Sequence, residues 1–120
     1  MAEHNELGKT GEELAAAFLK EKGYRILTTN WRFGKDEIDL IARDGEELVI
    51  VEVKTRKSNY FGEPEAFVSK QKQKALIRCA NQYIRQHAFD GDTRFDIVAI
   101  LITPQGNEIH HIQRAFFPTL

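Results

Sequence analysis

Acidic and basic side chains recur at short spacing in two neighbouring apolar segments. Glu37 and Asp39 alternate along the first segment, and Glu52 and Lys54 alternate along the second. Carboxylate oxygens with few other ligand types suit Mg²⁺ or Mn²⁺ better than zinc. An ion held by Asp39 and Glu52, with Glu37 as a further ligand directly or through water, would polarise a phosphodiester and activate water. Lys54 would stabilise the transition-state charge, so the candidate chemistry is metal-dependent phosphodiester hydrolysis.

The two segments are expected to pair as a β-hairpin. Asp44-Gly45 between two alternating or apolar runs is a strong hairpin signal. A two-residue loop at this dipeptide pairs Ala42 with Glu47. The apolar side chains then gather on one face of the hairpin, and they are Ile38, Leu40, Ala42, Val49, Val51 and Val53.

The polar face of that hairpin crowds like charges. The register sets Glu37 opposite Glu52, and Asp39 opposite Ile50, one diagonal step from Glu52. Directly opposed like charges destabilise a sheet by up to about 1 kcal/mol, so a compensating cation is needed. Lys54 is one candidate and a divalent metal is another. The alternative is an ordinary surface patch in which Glu52 and Lys54 form an exposed ion pair.

Periodicity and turn residues predict the elements that hold these residues. The first helix runs to a stop at Gly23, and it begins either at a capping box of Thr10 and Glu13 or upstream near Asn5. The remaining elements are strands at 24–33, 37–43 and 47–55, a loop at 57–66, a helix from the N-cap Ser69 to about His87, and strands at 95–102 and 108–113. The order α-β-β-β-α-β-β predicts an α/β sandwich around a mixed sheet.

Glu12 lies at the margin of the buried stripe of the first helix, whereas Glu13 points away. An acid in this position either reaches an active site or is favoured near the helix N-terminus by the macrodipole.

Basic residues flank the same region. Candidates for nucleic-acid contact are Arg32, Arg56 and Lys72. Lys72 belongs to a basic cluster at the start of the second helix, the end at which the macrodipole disfavours cations. Phosphate contact would explain this cluster, and a solvated lysine-rich face is the alternative.

The whole chain sets broad limits on function. Its 120 residues predict one domain, and a net charge of −1 argues against a histone-like binder without excluding a nuclease. A single cysteine, Cys79, rules out an internal disulfide. We find no signal peptide and no apolar run long enough to span a bilayer, so a cytoplasmic location is expected. His110 and His111 point to opposite faces of a strand, and we assign the histidines no role.

These residues together resemble the YraN-like family of largely uncharacterised bacterial proteins. That family is similar to the archaeal Holliday junction resolvases and the wider PD-(D/E)XK nuclease superfamily. The markers are Gly11-Glu12, Gly23-Tyr24, Asn30-Trp31-Arg32, the segments 37–42 and 51–56, Phe61-Gly62, Lys72 and Arg94-Phe95-Asp96. In place of a glycine usual in the family just before residue 37, this chain has Asp36.

The resemblance implies a restriction-endonuclease-like αβββαβ core with Asp39, Glu52 and Lys54 as catalytic residues. It implies metal ligands from Asp39, Glu52 and the carbonyl of Val53, with Glu12 from the first helix joining them.

The function implied is a Mg²⁺- or Mn²⁺-dependent endonuclease acting on DNA rather than RNA, including branched or otherwise structured DNA. Junction-cutting relatives act as two-fold dimers, so a homodimer is an open expectation. The alternative is a non-catalytic nucleic-acid-binding or adaptor module on a nuclease fold. The intact acid-acid-lysine set favours the active endonuclease, because a site that has lost its activity has no physical reason to keep crowded carboxylates.

Overall fold

Helices and strands follow one another in the predicted order α-β-β-β-α-β-β. A computed structural model describes residues 2–57 and 68–118, with side chains from residue 6. The elements are α1 (Ala2–Glu21), β1 (Arg25–Phe33), β2 (Asp36–Asp44), β3 (Glu47–Lys57), α2 (Lys70–Gln86), β4 (Thr93–Thr103) and β5 (Gly106–Phe116). Most of the predicted loop, including Phe61-Gly62, lies outside the described residues.

The five strands form one mixed sheet in the order β1-β2-β3-β4-β5. β3 and β4 are parallel, and the other neighbouring pairs are antiparallel. One apolar cluster packs one face of the sheet against α1, and a second packs the other face against α2. This is the predicted α/β architecture, a sheet flanked by helices that is consistent with a restriction-endonuclease-like αβββαβ core.

α1 lies directly against β3 at Gly11. A Cβ atom at this position would be 1.8 Å from Thr55 Oγ1, so only glycine permits the approach. The predicted capping box at Thr10 is wrong, because the helix continues upstream to Ala2, as the alternative start near Asn5 had anticipated more closely.

α2 begins and ends as predicted. The N-cap Ser69 accepts a hydrogen bond at its Oγ from the backbone N–H of Lys72 at 3.1 Å, and His87 caps the other end. The buried face of α2 comprises Leu76, Cys79, Ala80 and Tyr83. Cys79 is accordingly a buried thiol. No helix in the described part of the chain is long and apolar enough to cross a membrane.

The predicted hairpin exists, but its predicted register is wrong by two residues. Asp44 pairs with Glu47, and Ala42 pairs with Val49, so the two-residue loop is Gly45-Glu46. Gly45 has φ +62°, and Glu46 is not among the residues with positive φ. This suits a type II′ turn, which needs glycine only at its first central position, whereas an Asp44-Gly45 loop of type I′ needs positive φ at both.

One apolar side chain lies on the opposite face from that predicted. Leu40 and Ala42 pack toward α1, whereas Ile38 is buried in the cluster on the α2 side. The strict alternation breaks at Asp39, where the pairing with β3 has ended and where the neighbouring strand β1 carries Asn30 at φ +52°. The side chains of β2 therefore do not keep one alternation along the whole strand.

Two further differences concern the ends of the sheet. β5 extends from Gly106 to Phe116 and is longer than the predicted 108–113. Asp36, which stands where a glycine was expected, forms a two-pronged ion pair with Arg78 of α2, with both distances 3.2 Å. The departure from the family pattern thus tethers the start of β2 to α2.

Candidate active site

Asp39 reaches the acid-lysine segment of β3 through a backbone hydrogen bond. The last described pair of the β2–β3 ladder is Leu40 with Val51. Beyond it, Asp39 Oδ2 accepts a hydrogen bond from the Val53 N–H at 2.8 Å. A side-chain carboxylate thereby takes a position that backbone would occupy in a continued ladder, and this holds Asp39 beside Glu52.

The Asp39 and Glu52 carboxyl groups are electrostatically coupled. Burial, and next the charge of Glu52, raise the pKa of Asp39 to about 7 despite the Val53 hydrogen bond and the charge of Lys72. Burial also raises the pKa of Glu52, against the opposing effects of Lys72, of hydrogen bonding with Asp39 and of Lys54. Both carboxyl groups therefore hold a proton more tightly than an exposed carboxyl does, and a bound cation would oppose this effect.

Glu52 has one satisfied and one unsatisfied oxygen. Its Oε2 lies 3.9 Å from Lys72 Nζ, which reaches over from the first turn of α2. Its Oε1 is buried and has no hydrogen-bond partner among the described residues. Leaving such an acceptor unpaired costs about 1–3 kcal/mol, and a cation bound to this oxygen would remove that cost.

Lys54 extends from the same strand two residues beyond Glu52, so the two side chains share a face of β3. Burial lowers the pKa of Lys54, the charge of Arg56 adds to this effect, and the charge of Glu52 opposes it. The geometry thus brings together the predicted acid, acid and lysine.

Glu12 joins this group from α1. Burial raises the pKa of Glu12 and the charge of Asp39 raises it further, while a hydrogen bond with Asn30 acts in the opposite direction. Glu12 is half-buried and Glu13 is exposed, as predicted. Sequence reasoning did not assign Asn30 this contact, although asparagine is among the few residue types that tolerate its positive φ.

The remaining predicted residues lie around this centre. The charge of Glu37 contributes to the raised pKa values of Asp39 and Glu12, and its carboxylate forms a 3.7 Å ion pair with Arg32, whose side chain is 73% exposed. Arg56 donates a hydrogen bond to the Thr55 carbonyl at 2.9 Å.

The donor set fits a hard divalent cation that retains several waters. No group of three or more Asp, Glu, His or Cys side chains within the described residues is arranged to hold a metal ion. Mg²⁺, however, is commonly bound through one or two carboxylates together with water and other oxygen donors. Asp39, the unpaired oxygen of Glu52 and the Val53 carbonyl are donors of these types. Metal ligation by these residues, by Glu12 and by Glu37 stays a prediction.

A second polar cluster lies where β4 begins, at Arg94 and Asp96, which enter the sequence-based predictions only as markers of the family resemblance. Asp96 and Arg94 are buried within an otherwise apolar strand. Asp96 accepts hydrogen bonds from Arg94 Nε at 3.1 Å and from the Arg114 N–H at 3.0 Å, and its Oδ2 lies 2.7 Å from His111 Nε2. Burial alone would raise the pKa of Asp96, but these hydrogen bonds hold it below its usual value.

Arg94 connects this cluster to the β2–β3 hairpin through Asp44 and Glu47, at 3.0 and 2.9 Å, and to Tyr24. His111 is 3% exposed and His110 60% exposed, so the two rings do point to opposite faces. The sequence indicates this cluster only through the charged residues Arg94 and Asp96, which alternate at the start of an otherwise apolar segment. The cluster is structural, since its charges are satisfied by one another.

Comparison with known sequences gives consistent matches over the whole chain. The family described as "Uncharacterised protein family UPF0102" matches residues 11–100. A UPF0102 protein of Christiangramia forsetii is 48% identical over 117 residues, which cover 98% of both chains. A UPF0102 protein of Phocaeicola vulgatus is 45% identical over 120 residues, covering 100% of this chain and 99% of the relative. The names of these relatives state no activity.

Proposed function

This chain belongs to the uncharacterised protein family UPF0102, and we propose that it is a Mg²⁺- or Mn²⁺-dependent endonuclease that hydrolyses DNA phosphodiester bonds, including those of branched or otherwise structured DNA. Membership confirms the YraN-like family expected from the sequence, and the relation to nucleases stays a prediction. The observation that carries the proposal is the buried, unpaired Oε1 of Glu52 beside a second carboxylate, Asp39, whose pKa is raised to about 7.

A buried pair of acids is costly to a protein that does not use it. Both pKa values are raised, which means that the fold penalises the charged forms. Strong perturbation by burial together with a like charge is typical of functional sites. A divalent cation would reverse this penalty, because it neutralises both acids and provides Oε1 of Glu52 with a partner.

Asp39, Glu52 and the Val53 carbonyl are the residues that would hold the ion. When bound, Mg²⁺ or Mn²⁺ supplies Lewis-acid activation of the phosphodiester and of the attacking water. Asp39 is held in place for this role by the Val53 N–H at 2.8 Å, so its orientation does not depend on the ion.

Lys54 would bind and orient the attacking water and stabilise negative charge on the phosphoryl oxygens. Burial lowers its pKa, so its ammonium group gives up a proton more readily than an exposed lysine does. Lys72, 3.9 Å from Glu52 Oε2, is within reach of a phosphate that sits against the acid pair. In the absence of substrate, the same ammonium offsets the charge of Glu52.

The test is cleavage of supercoiled plasmid, linear duplex, single-stranded and four-way junction DNA with Mg²⁺ or Mn²⁺. We expect Asp39→Asn, Glu52→Gln and Lys54→Met each to lower the cleavage rate by at least about 100-fold. Glu13→Gln is the matched control, because Glu13 is exposed on the outer side of the same helix as Glu12. That variant should cut like the wild type.

Absence of cleavage on every substrate at high enzyme concentration would reject the endonuclease. Salt-dependent DNA binding that is unaffected by Asp39→Asn would then identify the alternative, a non-catalytic binding module.

A further inference from the structure

A groove runs from the candidate active site along one side of α2. It consists of two adjoining clefts, one of about 430 Å³ beside Glu37 and Lys72, and one of about 330 Å³ beside Phe33 and Arg85. The side chains that line both clefts are Lys35, Asp36 and Arg78. The two clefts therefore adjoin at the Asp36–Arg78 ion pair, and one end of the groove lies at the lysine that pairs with Glu52.

The far cleft contains an exposed aromatic ring. Phe33 is 44% exposed at the end of β1, and it is one of two large apolar side chains that are exposed in the described part of the chain. The tight turn that follows, with Gly34 at φ +62°, joins β1 to β2 directly after the ring. Asn81 and Gln82 of α2 line the same cleft and offer amide groups next to Phe33.

The charge of the groove is positive once its internal pairs are counted. Asp36 is paired with Arg78 at 3.2 Å, and Glu37 is paired with Arg32 at 3.7 Å. The side chain of Arg78 is nevertheless 58% exposed. Of the other cations of the lining, Lys72 is paired with Glu52 at 3.9 Å, which leaves Lys35 and Arg85 as the surplus positive charge. An anionic polymer complements such a lining.

We propose that this groove binds an unpaired DNA strand that leads to the scissile phosphate, with one base stacked on Phe33. The inference rests on the proposed function, since the strand would be that of the same substrate. Sites for single strands combine a basic groove with an aromatic stacking surface, and both are present here. A cleft of about 330 Å³ is at the small end of ligand pockets and suits a single base.

The length of the groove sets the size of the bound strand. From Lys72 to Arg85, α2 rises by about 20 Å at 1.5 Å per residue. At the 3.4 Å spacing of a stacked strand this length holds at most about six nucleotides, and a more extended strand places fewer. A base inside a duplex is covered on both faces by its neighbours and cannot stack on Phe33. The groove therefore favours ends, flaps and junctions with unpaired nucleotides over continuous duplex.

The experiment measures binding without cleavage. A fluorescently labelled single strand of about 12 nucleotides, and the same sequence as a blunt duplex, are titrated with the full chain in EDTA, and anisotropy is recorded. Phe33→Ala should weaken single-strand binding about tenfold, and Phe33→Tyr should retain it, because tyrosine also stacks. Arg85→Ala should weaken binding and reduce the salt slope by about 1. Duplex binding should change less than twofold with Phe33→Ala.

Two variants serve as controls, Phe117→Ala for the loss of an exposed ring and Arg25→Ala for the loss of an exposed charge. Phe117 is 64% exposed at the end of β5, Arg25 is exposed at the start of β1, and neither lines the groove. Both should bind the single strand like the wild type. Equal weakening by the controls, or no weakening by Phe33→Ala, would overturn the proposal.

Because the assay is free of metal, it tests single-strand binding in the groove independently of the proposed endonuclease activity. Cleavage with normal single-strand binding by Phe33→Ala would reject the groove and keep the endonuclease. Stacking-dependent binding without cleavage would keep the groove and reject the endonuclease. A change of oligomeric state in Phe33→Ala on light scattering, with DNA binding intact, would identify the ring as a protein contact and overturn the inference. Wild type that binds no single strand at low salt would also overturn it.

Discussion

The Val53 N–H donates a 2.8 Å hydrogen bond to the Asp39 carboxylate, and this bond joins an acid of β2 to the acid-lysine segment of β3. The bond needs only an acceptor oxygen at residue 39, which asparagine also provides. Asp39→Asn therefore removes the charge of residue 39 and keeps the hydrogen bond that positions its side chain.

Asp39→Asn should stabilise the metal-free protein near pH 8 by about 1–2 kcal/mol after allowance for solvent screening. Burial and the charge of Glu52 raise the pKa of Asp39 from 3.8 to about 7. The folded state therefore holds this proton more tightly than the unfolded state, and wild-type stability falls as pH rises from about 4 through 7. Urea denaturation at several pH values measures the difference, which should vanish near pH 4. A destabilised Asp39→Asn at about pH 8, with unaffected Glu13→Gln, would contradict this account.

Metal affinity should rise with pH and level off above about 7. Binding requires the Asp39 carboxylate, whose pKa is about 7, so protons compete with the ion below that value. We expect the Mn²⁺ affinity of wild type to increase up to about tenfold per pH unit below 7, with release of a proton. Calorimetric titration in buffers of different ionisation enthalpy measures both quantities, with Glu52→Gln as the variant that lacks the site. An affinity that is independent of pH would contradict the assignment of Asp39 as a ligand.

Gly11→Ala should destabilise the protein by about 1–3 kcal/mol, because the new methyl group overlaps Thr55. The added Cβ would lie 1.8 Å from Thr55 Oγ1 and 2.9 Å from Thr55 Cβ. Gly8→Ala is the matched control on the same helix, since nothing lies within 4 Å of its added Cβ. That substitution should stabilise by about 0.5–1 kcal/mol. Thermal unfolding of the two variants compares them, and equal effects would show that α1 does not pack closely on β3.

Arg94→Ala should destabilise by about 3–5 kcal/mol, because it leaves Asp96 buried without its charge partner. The side chains of Arg94 and Asp96 are 3% and 0% exposed. Arg114→Ala is the control, since Arg114 is 54% exposed in its ion pair with Glu47 and its loss should cost less than about 1 kcal/mol. Urea denaturation of both variants gives the comparison. A loss below 1 kcal/mol for Arg94→Ala would mean that His111 and Arg114 suffice for Asp96.

Local patterns in the sequence predicted most of the fold and the grouping of the site. The cap at Ser69 and the alternation that places Glu52 and Lys54 on one face of β3 are short-range features of the sequence. Asp39 is held beside Glu52 by its hydrogen bond from the Val53 N–H. The predicted hairpin register is wrong, because Asp44-Gly45 and Gly45-Glu46 both provide acceptable turns and only the packing of both strands selects one. Since a shift of two residues keeps the same alternation of faces, the site survived this error.

Long-range contacts account for what the sequence did not reveal. Ile38 lies on the other face from Leu40, close to the point where the β2–β3 pairing ends, and alternation along one strand does not predict this change. The pairing of Asp96 with His111 joins residues from different strands, and the sequence marks it only as an acid in an apolar run. The role of Asp36 was similarly hidden, because its partner Arg78 is 42 positions away.

The parallel pairing of β3 with β4 has a consequence for how the chain folds. It joins residues such as Leu48 and Thr93, which are 45 positions apart, whereas the hairpin joins Asp44 to Glu47. Closing a longer loop costs more entropy. We therefore expect the antiparallel strands β1, β2 and β3 to pair first and β3 to pair with β4 last. Asp39 and Glu52 both lie in that early segment. The acids would therefore meet on the folding pathway while water still surrounds them, and their mutual repulsion would become costly only when the second half of the chain docks.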